Sequence, residues 1–281
     1  MKSECLACGG RLRPSGRYVG LSRCEACSFT TADLALSEEQ LRQLYTAHYF
    51  AGDEYRDYVA DRPVIEKQFR VRLRRLLKFV PAERRRNLFE IGCAHGFFLA
   101  LAQEAFDAVE GIDISADATE YGREVLGLNT QNAEFLSYPF TSVPDVVSMW
   151  DTIEHLSRPD LYIGKIAEAL APGGILALTT ADLESWAAKI RGNKWRQIHP
   201  PTHLHYFSRR TLHMLLGRFG LEVVYMGTEG MYRSVDTMAY IILCLKSNRH
   251  NLYARLKNTG LLNWDLYLNL GDILFVVAKK A

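Results

Sequence analysis

From residue 87 onward, short apolar segments alternate with segments of helical periodicity. This alternation constrains the fold strongly, because parallel strands need crossover connections and helices supply them. We therefore predict an α/β fold with a Rossmann-like, doubly wound sheet that has helices on both faces. The predicted strands span residues 88–91, 109–114, 145–150, 175–180, 221–226 and 273–278, and the first crossover helix spans residues 97–106.

The composition is typical of a globular protein. Hydrophobic residues make up 48% of the 281 residues and charged residues 23%, which excludes disordered, collagen-like and fibrous proteins. The longest apolar segment, residues 238–245, is far shorter than the roughly 20 residues that span a bilayer. Because Lys2, Glu4 and two cysteines near the amino terminus do not resemble a secretory signal, we expect a cytoplasmic location and no membrane partner.

Four of the six cysteines form two closely spaced pairs, Cys5 with Cys8 and Cys24 with Cys27. Two such pairs, fifteen residues apart in the chain, match a tetrahedral zinc site. About thirty residues cannot bury a sufficient core without a metal. The alternative is two disulfides, which a reducing compartment disfavours. We predict a structural zinc ribbon. The ribbon could bind nucleic acid, clamp a substrate or brace the neighbouring domain. We expect the two remaining cysteines, Cys93 and Cys244, to be unpaired.

The amino-terminal part of the chain is basic. Residues 1–86 contain 17 Lys and Arg against 11 Asp and Glu, a balance of +6, and the rest of the chain has 17 against 21, a balance of −4. A basic region can bind nucleic acid or anionic substrates. The simpler interpretation is a helix with an apolar stripe and a solvated face formed by Arg70, Arg72, Arg74, Arg75 and Lys78.

The turn after the first predicted strand carries Gly92 and Gly96. In doubly wound sheets, ligands bind beyond the carboxyl ends of the strands, and glycines let a ligand approach the backbone. Asp113 lies near the end of the second predicted strand, where a carboxylate can accept hydrogen bonds from ribose hydroxyls. A dinucleotide-binding turn needs glycine at three positions; here these positions are Gly92, Ala94 and Phe97, so two of the three glycines are missing. Glu90 is also unfavourable beside a pyrophosphate, whereas it suits the ammonium of an amino acid.

Residues 90–96 resemble the first motif of class I S-adenosylmethionine-dependent methyltransferases. Further matches follow in that family's order over about residues 85–225: residues 132–134 resemble the segment beside adenine, residues 150–156 the motif after the fourth strand, and residues 170–174 the turn before the fifth. The resemblance implies a seven-stranded methyltransferase sheet, S-adenosylmethionine as cofactor, and methyltransferase activity. It implies contacts with the cofactor by Glu90, Gly92, Cys93, Ala94, Gly96, Asp113, Ile114, Ala133, Glu134, Trp150 and Asp151.

Two roles within this motif set follow from the resemblance. The glycine turn lies under the methionine part of the cofactor, and Asp113 holds the ribose. Ala94 departs from the family pattern, because glycine is commoner at that position. The predicted domains are the zinc ribbon at residues 1–35, a helical linker or cap at 36–84, and the cofactor-binding domain at 85–281. Residues 231–271 are predicted to form a helical insertion before the last strand.

Asp151, Glu154 and His155 have a spacing that would place them on one face if they open a helix. Two carboxylates and an imidazole could then act as a base or bind a divalent cation. This segment resembles the motif of ubiquinone-pathway O-methyltransferases and their relatives, in which the histidine is near the cofactor. The alternative is that Asp151 caps the helix and that Glu154 and His155 support the cofactor pocket.

Four of the eight histidines lie between residues 199 and 213. Two prolines and the lack of a nearby cysteine or acid argue against a closed zinc site there. A similar segment lines the acceptor pocket in the methyltransferases that this chain resembles. We predict that His155, His199 and His203 are catalytic and that His205 and Tyr206 contact the substrate. Ser208 should cap the helix that follows, at residues 209–219, and Gly220 should end it.

We expect methyl transfer from S-adenosylmethionine to a small-molecule acceptor, a hydroxyl of a sugar or secondary metabolite. The alternative is an RNA base methyltransferase, acting on ribosomal RNA, that uses its zinc ribbon for recognition. The basic amino-terminal part favours RNA modestly, whereas the lack of a dense basic and aromatic patch argues against it. A third interpretation is a module that binds the cofactor without catalysis.

Overall fold

A computed structural model describes residues 4–34, 40 and 58–281 of the chain. The predicted linker at residues 36–84 therefore lies partly outside the described residues. A mixed sheet of seven strands forms the body of the protein. Its strands are β4 (Asn87–Ile91), β5 (Ala108–Asp113), β6 (Asn129–Asn132), β7 (Val146–Trp150), β8 (Ile175–Ala181), β10 (Leu221–Ser234) and β11 (Asp265–Lys280).

The order of the strands across the sheet is β10-β11-β8-β7-β4-β5-β6. Five strands from β8 to β6 are parallel, and β11 lies antiparallel between β8 and β10. The chain runs outward from β4 in one direction and then returns to β7 on the other side. This reversal of strand order opens a crevice at the carboxyl ends of β4 and β7, where doubly wound sheets bind their ligands.

The predicted α/β sheet is confirmed, with two differences. β6 was not predicted, because this four-residue edge strand consists of polar residues and has no apolar run to mark it. β10 and β11 continue well beyond the predicted segments and pair as a long hairpin, from Leu221 opposite Lys280 to Ser234 opposite Asp265. The predicted helical insertion at 231–271 is therefore confined to the end of this hairpin, between its two strands.

Helices cover both faces of the sheet and the end of the hairpin. They are α1 (Arg62–Leu76), α2 (Phe97–Ala102), α3 (Ala116–Glu124), α4 (Pro159–Ala169), α5 (Trp186–Arg191), α6 (Arg209–Arg218), α7 (Val235–Tyr240), a π-helical turn (Ile241–Lys246) and α8 (His250–Asn258). The predicted cap of α6 is confirmed: Ser208 and Thr211 form a capping box, and Gly220 follows with a φ of +71°.

The cysteine-rich segment forms a second, smaller sheet that includes a strand of the main body. Its strands are β1 (Leu12–Pro14), β2 (Leu21–Cys24), β3 (Thr30–Ala32) and β9 (His205–Tyr206). Thr30 pairs with Tyr206 and Thr31 with His205. Residues 4–34, which we call the N-terminal ribbon, share one apolar core with the main sheet, since Phe29 and Cys27 belong to the same buried cluster as Leu212 and Leu216 of α6.

The prediction that five basic residues form a solvated face of α1 is wrong for one of them, Arg72. Arg74 is exposed, but the Arg72 side chain is only 2% exposed. Arg72 lies three residues after Phe69 and four before Leu76, so it occupies the apolar stripe of the helix rather than its outer face. Its charge is compensated inside the protein, as described below.

Among the residues that the structure describes, no helix combines the length and the apolar character required to cross a bilayer.

Candidate functional site

A cavity of about 1340 Å³ lies beyond the carboxyl ends of β4, β5 and β7. Its volume exceeds the roughly 300–1,000 Å³ that is usual for a single small-molecule site, so it has room for a cofactor and an acceptor together. Its wall includes thirteen of the residues predicted from the sequence: Glu90, Gly92, Cys93, Ala94, Asp113, Ile114, Ala133, Glu134, Trp150, Asp151, His155, His199 and His203. Gly96, His205 and Tyr206 are not among its lining residues.

The glycine turn has a backbone conformation that few residues other than glycine could adopt. Gly92 has a φ of +74°, and a Cβ atom there would lie 2.7 Å from Thr152 Oγ1. Gly96 has a φ of +80°, and a Cβ atom there would lie 2.5 Å from Leu128 Cδ1. Gly96 therefore serves the packing of α2 against the sheet, whereas Gly92 shapes the cavity wall. Ala94 also has a positive φ, +45°, which explains why glycine is common at this position.

Asp113 connects the end of β5 to the glycine turn. Its Oδ2 accepts a hydrogen bond from the Ala94 N–H, and its Oδ1 accepts one from the Ser115 N–H, both at 2.9 Å. Burial raises the pKa of Asp113, while these backbone N–H groups act in the opposite direction. Each carboxylate oxygen has a second lone pair, so Asp113 can accept ribose hydroxyls while it fixes the turn.

Glu90 is a buried carboxyl group on the cavity wall. It is only 1% exposed, and none of the described residues offers a hydrogen-bond partner to its Oε2 atom. Burial raises the pKa of Glu90 well above its ordinary value; Asp113 adds to this effect, and Arg72 opposes it. An unpaired buried carboxyl oxygen is costly. A cationic group in the cavity would compensate it, and the ammonium of S-adenosylmethionine has the required charge.

Asp151 follows β7 with a φ of +52° and is held there by contacts from two other elements. Its Oδ2 lies 2.8 Å from Arg72 Nη2, and its N–H donates to Thr179 Oγ1 at 3.0 Å. Arg72 Nε donates to Glu229 Oε1 at 2.7 Å, and its guanidinium lies 5.5 Å from the centre of the Trp150 ring. Arg72 thus links α1, the cavity wall and β10.

Asp151 does not open a helix, because the next helix, α4, begins only at Pro159; the condition for Asp151, Glu154 and His155 to share a helical face is therefore not met. The carbonyl group of Glu154 instead accepts the N–H groups of Leu204 and His205, at 2.9 and 3.1 Å. Residues 151–158 consequently form turns. These contacts bring the Asp151-to-His155 segment against the predicted histidine segment, although the two are about fifty residues apart in the sequence.

Three of the predicted histidines come together on the cavity wall. The ring centres of His155 and His203 lie 4.7 Å apart, and those of His199 and His203 lie 3.9 Å apart. His155 Nδ1 lies 2.9 Å from the Thr202 carbonyl oxygen, and His203 Nδ1 lies 2.9 Å from the Gln197 carbonyl oxygen. A carbonyl oxygen can only accept, so Nδ1 carries the proton in both rings and Nε2 has the lone pair.

The electrostatic environment keeps the rings of His155 and His203 neutral. Burial lowers the pKa of His155 to about 4 and that of His203 to about 2. Glu154 lies beside them, and its Oε2 accepts the Thr180 hydroxyl at 2.9 Å. Burial, together with the charge of Asp151, raises the pKa of Glu154 to about 8.

His205 and Tyr206 lie at the junction with the N-terminal ribbon rather than on the cavity. The His205 ring stacks on Phe29, with ring centres 5.5 Å apart. Tyr206 is buried, and its hydroxyl donates to the His203 carbonyl oxygen at 3.0 Å. The structure therefore gives both residues a packing role that supports the histidines of the cavity, and their predicted contact with the substrate stays a prediction.

The four predicted metal ligands converge in the ribbon. The sulfur atoms of Cys5, Cys8, Cys24 and Cys27 all lie within 4.8 Å of one another. The Sγ atoms of Cys5 and Cys27 are 3.5 Å apart, as are those of Cys8 and Cys24. Four thiolates about 2.3 Å from one zinc ion lie about 3.8 Å from each other, so the cluster fits the ion. Disulfide sulfurs would be about 2.05 Å apart, which the cysteines are not.

Sequence reasoning misassigned Arg72, and for Tyr58 it left open whether the aromatic residues between 45 and 58 cover a ligand or pack against the next domain. Arg72 was misassigned because its position in the apolar stripe of α1 was not weighed against its charge. Tyr58 lines the cavity and stacks on His95 of the glycine turn, with ring centres 5.1 Å apart. The abundance of aromatic residues just before α1 was the available signal; the other aromatics of residues 45–57 lie outside the described part of the chain.

A family model described as a methyltransferase domain matches residues 64–226, more than half of the chain. Three similar solved structures illustrate the fold. A protein described as an S-adenosylmethionine-dependent methyltransferase, from Thermotoga maritima, is 16% identical, with 80% of this chain and 95% of that chain covered and a TM-score of 0.54. One described as a sarcosine dimethylglycine methyltransferase, from Galdieria sulphuraria, is 13% identical, with 76% and 86% covered and a TM-score of 0.55.

The third, described as a methyltransferase from Bacillus halodurans, is 12% identical, with 74% of this chain and 98% of that chain covered and a TM-score of 0.52.

No curated protein matches the chain significantly. The fold and the family match define the class of protein, an S-adenosylmethionine-dependent methyltransferase. The chain belongs to the methyltransferase-domain family whose model covers residues 64–226.

Proposed function

We propose that this protein transfers a methyl group from S-adenosylmethionine to a hydroxyl group of a small, polar acceptor. The observation that carries this proposal is one cavity lined by two chemically different groups of residues, which we call its two walls. One wall has the carboxyl groups of Glu90 and Asp113 beside the glycine turn, and the other has His155, His199 and His203. The first wall suits a cationic nucleoside cofactor, and the second suits an acceptor that must lose a proton.

The first wall would hold the cofactor by its polar ends. Glu90 would bind the ammonium group, Asp113 would accept the ribose hydroxyls, and Ala133 and Glu134 would lie beside the adenine. When bound, S-adenosylmethionine supplies a methyl group on a positively charged sulfur. The chain has to align the acceptor oxygen with that methyl group at slightly more than 3 Å, since most of the acceleration in such a displacement comes from positioning.

The second wall would accept the proton of the acceptor hydroxyl. These imidazoles are neutral and can accept a proton, although burial makes His155 and His203 weaker bases than an ordinary histidine. A ring nitrogen of this histidine group would take the proton that the acceptor hydroxyl loses on methylation. Arg196 and Arg233 also line the cavity and donate toward Met231 Sδ, at 3.7 and 3.6 Å, so this wall favours a polar or anionic acceptor.

The proposal is tested by a screen with isotopically labelled cofactor. Purified protein is incubated with labelled S-adenosylmethionine and either pooled small metabolites or total RNA. We expect label in the metabolite fraction. Label in RNA alone would replace this proposal by the alternative RNA methyltransferase, and no label in either fraction would favour a module that binds the cofactor without catalysis.

Replacing His155 by alanine should slow methyl transfer about 10²- to 10⁴-fold, the usual contribution of a positioned acid–base group. The affinity for S-adenosylhomocysteine should stay within about twofold, because His155 is not among the proposed cofactor contacts. Single-turnover rates and calorimetry measure the two quantities separately. His213→Ala is the matched control, since His213 is exposed on α6; an unchanged rate in the His155 variant would exclude its catalytic role.

Cofactor binding should release a proton from Glu90. Its raised pKa means that the free protein holds it protonated at pH values where an ordinary glutamate is ionised. The ammonium of the cofactor favours the charged form, so affinity should fall as the pH falls. Calorimetry in two buffers of different ionisation enthalpy measures the released proton. Glu90→Gln should bind more weakly and release none; equal proton release in wild type and variant would contradict this assignment.

We also propose that the N-terminal ribbon is a structural zinc site that braces the histidine wall. β3 pairs with β9, and the Ala32 N–H donates to the Leu204 carbonyl oxygen at 2.8 Å, directly beside His203. A metal that folds the ribbon would therefore also position the acceptor side of the cavity.

Under reducing conditions, the purified protein should contain about one zinc atom per chain. Chelation should lower the unfolding temperature and reduce methyl transfer, and added zinc should restore both. Elemental analysis and thermal unfolding measure this, with Cys244→Ser as the control because Cys244 lies outside the cluster. Full activity of zinc-free, folded protein would contradict the bracing role.

A further inference from the structure

We propose that Glu154, His155 and His203 form a second metal site, which binds a divalent first-row transition-metal ion on the acceptor wall of the cavity. One ligand atom from each residue lies within 4.8 Å of the others, and all three residues line the cavity. The inference deepens the proposed function, on which it rests for its role: the ion would bind the oxygen of the acceptor.

The spacing of the three ligand atoms is close to what a bound ion requires. Nitrogen and oxygen ligands about 2.1 Å from a tetrahedral ion lie about 3.4 Å apart. Because the three atoms lie within 4.8 Å of one another, each pair has to approach by at most about 1.4 Å. His203 follows two prolines and His155 lies in a turn, so these ligands come from loops, which can shift this far more easily than strands.

Each proposed ligand is oriented by a second residue, which is the usual arrangement around protein-bound metals. The His155 Nδ1–H donates to the Thr202 carbonyl oxygen, and the His203 Nδ1–H donates to the Gln197 carbonyl oxygen. In both rings Nε2 is then the coordinating nitrogen. The Thr180 hydroxyl donates to Glu154 Oε2, which fixes the carboxyl group in the same way.

The ligand set indicates which ions fit. Two imidazoles and one carboxylate favour zinc, iron(II), cobalt or nickel over magnesium and calcium, which prefer oxygen ligands. Three protein ligands leave positions for groups from the cavity, unlike the closed four-cysteine cluster. An acceptor hydroxyl bound to the ion would have a lower pKa, and His199, next to His203, would remain to take its proton.

The test is a cobalt(II) titration of the full-length protein after its ribbon has been loaded with one equivalent of zinc. Calorimetry gives the stoichiometry, and visible absorption separates nitrogen and oxygen ligands from thiolates. We expect one further equivalent of cobalt, without thiolate charge-transfer bands. His203→Ala and Glu154→Gln should weaken this binding at least 100-fold, whereas the exposed control His213→Ala should leave it unchanged.

Thr180→Val keeps all three ligands and should weaken cobalt binding about 10- to 100-fold, so the test remains valid if a ligand variant fails to fold. No further equivalent of cobalt, or equal affinity in wild type and His203→Ala, would overturn the inference.

S-adenosylhomocysteine binding is measured on the same samples. Cofactor binding without cobalt binding refutes the metal site alone, and cobalt binding without cofactor binding refutes the proposed function alone.

Discussion

Arg72→Ala should lower the free energy of unfolding by about 3–5 kcal/mol, the usual effect of removing one partner of a buried ion pair. The guanidinium lies between Asp151 and Glu229, at 2.8 and 2.7 Å. The Glu229 side chain is 0% exposed, so its charge would be left inside the protein. Arg75 lies 3.9 Å from the other Glu229 oxygen, too far to replace the lost hydrogen bond.

For a chain of this size, such a loss corresponds to a fall of about 6–15 °C in Tm. Arg74→Ala is the matched control, because Arg74 is exposed on the same helix, and it should change Tm little. Adding Glu229→Gln to the Arg72→Ala variant should recover part of the stability, since the second change neutralises the unpaired acid. Equal effects of Arg72→Ala and Arg74→Ala would show that the buried ion pair does not stabilise the fold.

Asp113→Ala should weaken S-adenosylmethionine binding about 10- to 100-fold or more. A hydrogen bond to a charged group contributes about 1.5–3 kcal/mol, and each 1.4 kcal/mol is a factor of ten in Kd. The carboxylate has two tasks in our account: it binds the ribose, and it fixes the glycine turn through the Ala94 N–H. Both are lost together, so the effect should be larger than that of a single surface contact.

Calorimetric titration of the variant measures this effect, with circular dichroism as a check of folding. Asp117→Ala is the control, because Asp117 is an exposed acid in the first turn of α3 and does not line the cavity. A Kd within twofold of wild type in Asp113→Ala would remove Asp113 from the cofactor site.

The sheet and the glycine turn were predictable because their signals are local. Buried strands such as Val146–Trp150 consist mainly of apolar residues, and the turn at Gly92 needs a residue that tolerates a positive φ. The cap at Ser208 is also local, since its partner Thr211 is three residues away. In each case, neighbouring residues determine the conformation.

The parts that the sequence did not predict depend on distant partners. The residues after Asp151 do not form a helix, because the Glu154 carbonyl is used by the backbone of residues 204 and 205. His205 lies under Phe29 because β3 of the ribbon pairs with β9, a contact between residues more than 170 positions apart. Arg72 is buried because Glu229 reaches it from β10. Local periodicity contains no information about these contacts.

The central claim is that the cavity at the glycine turn binds S-adenosylmethionine. The most direct test is calorimetric titration of folded, zinc-loaded wild-type protein with S-adenosylhomocysteine, followed by competition with S-adenosylmethionine. Our account predicts saturable binding at one site per chain and mutual competition between the two ligands. The absence of saturable heat with both ligands, on protein that unfolds cooperatively, would contradict it.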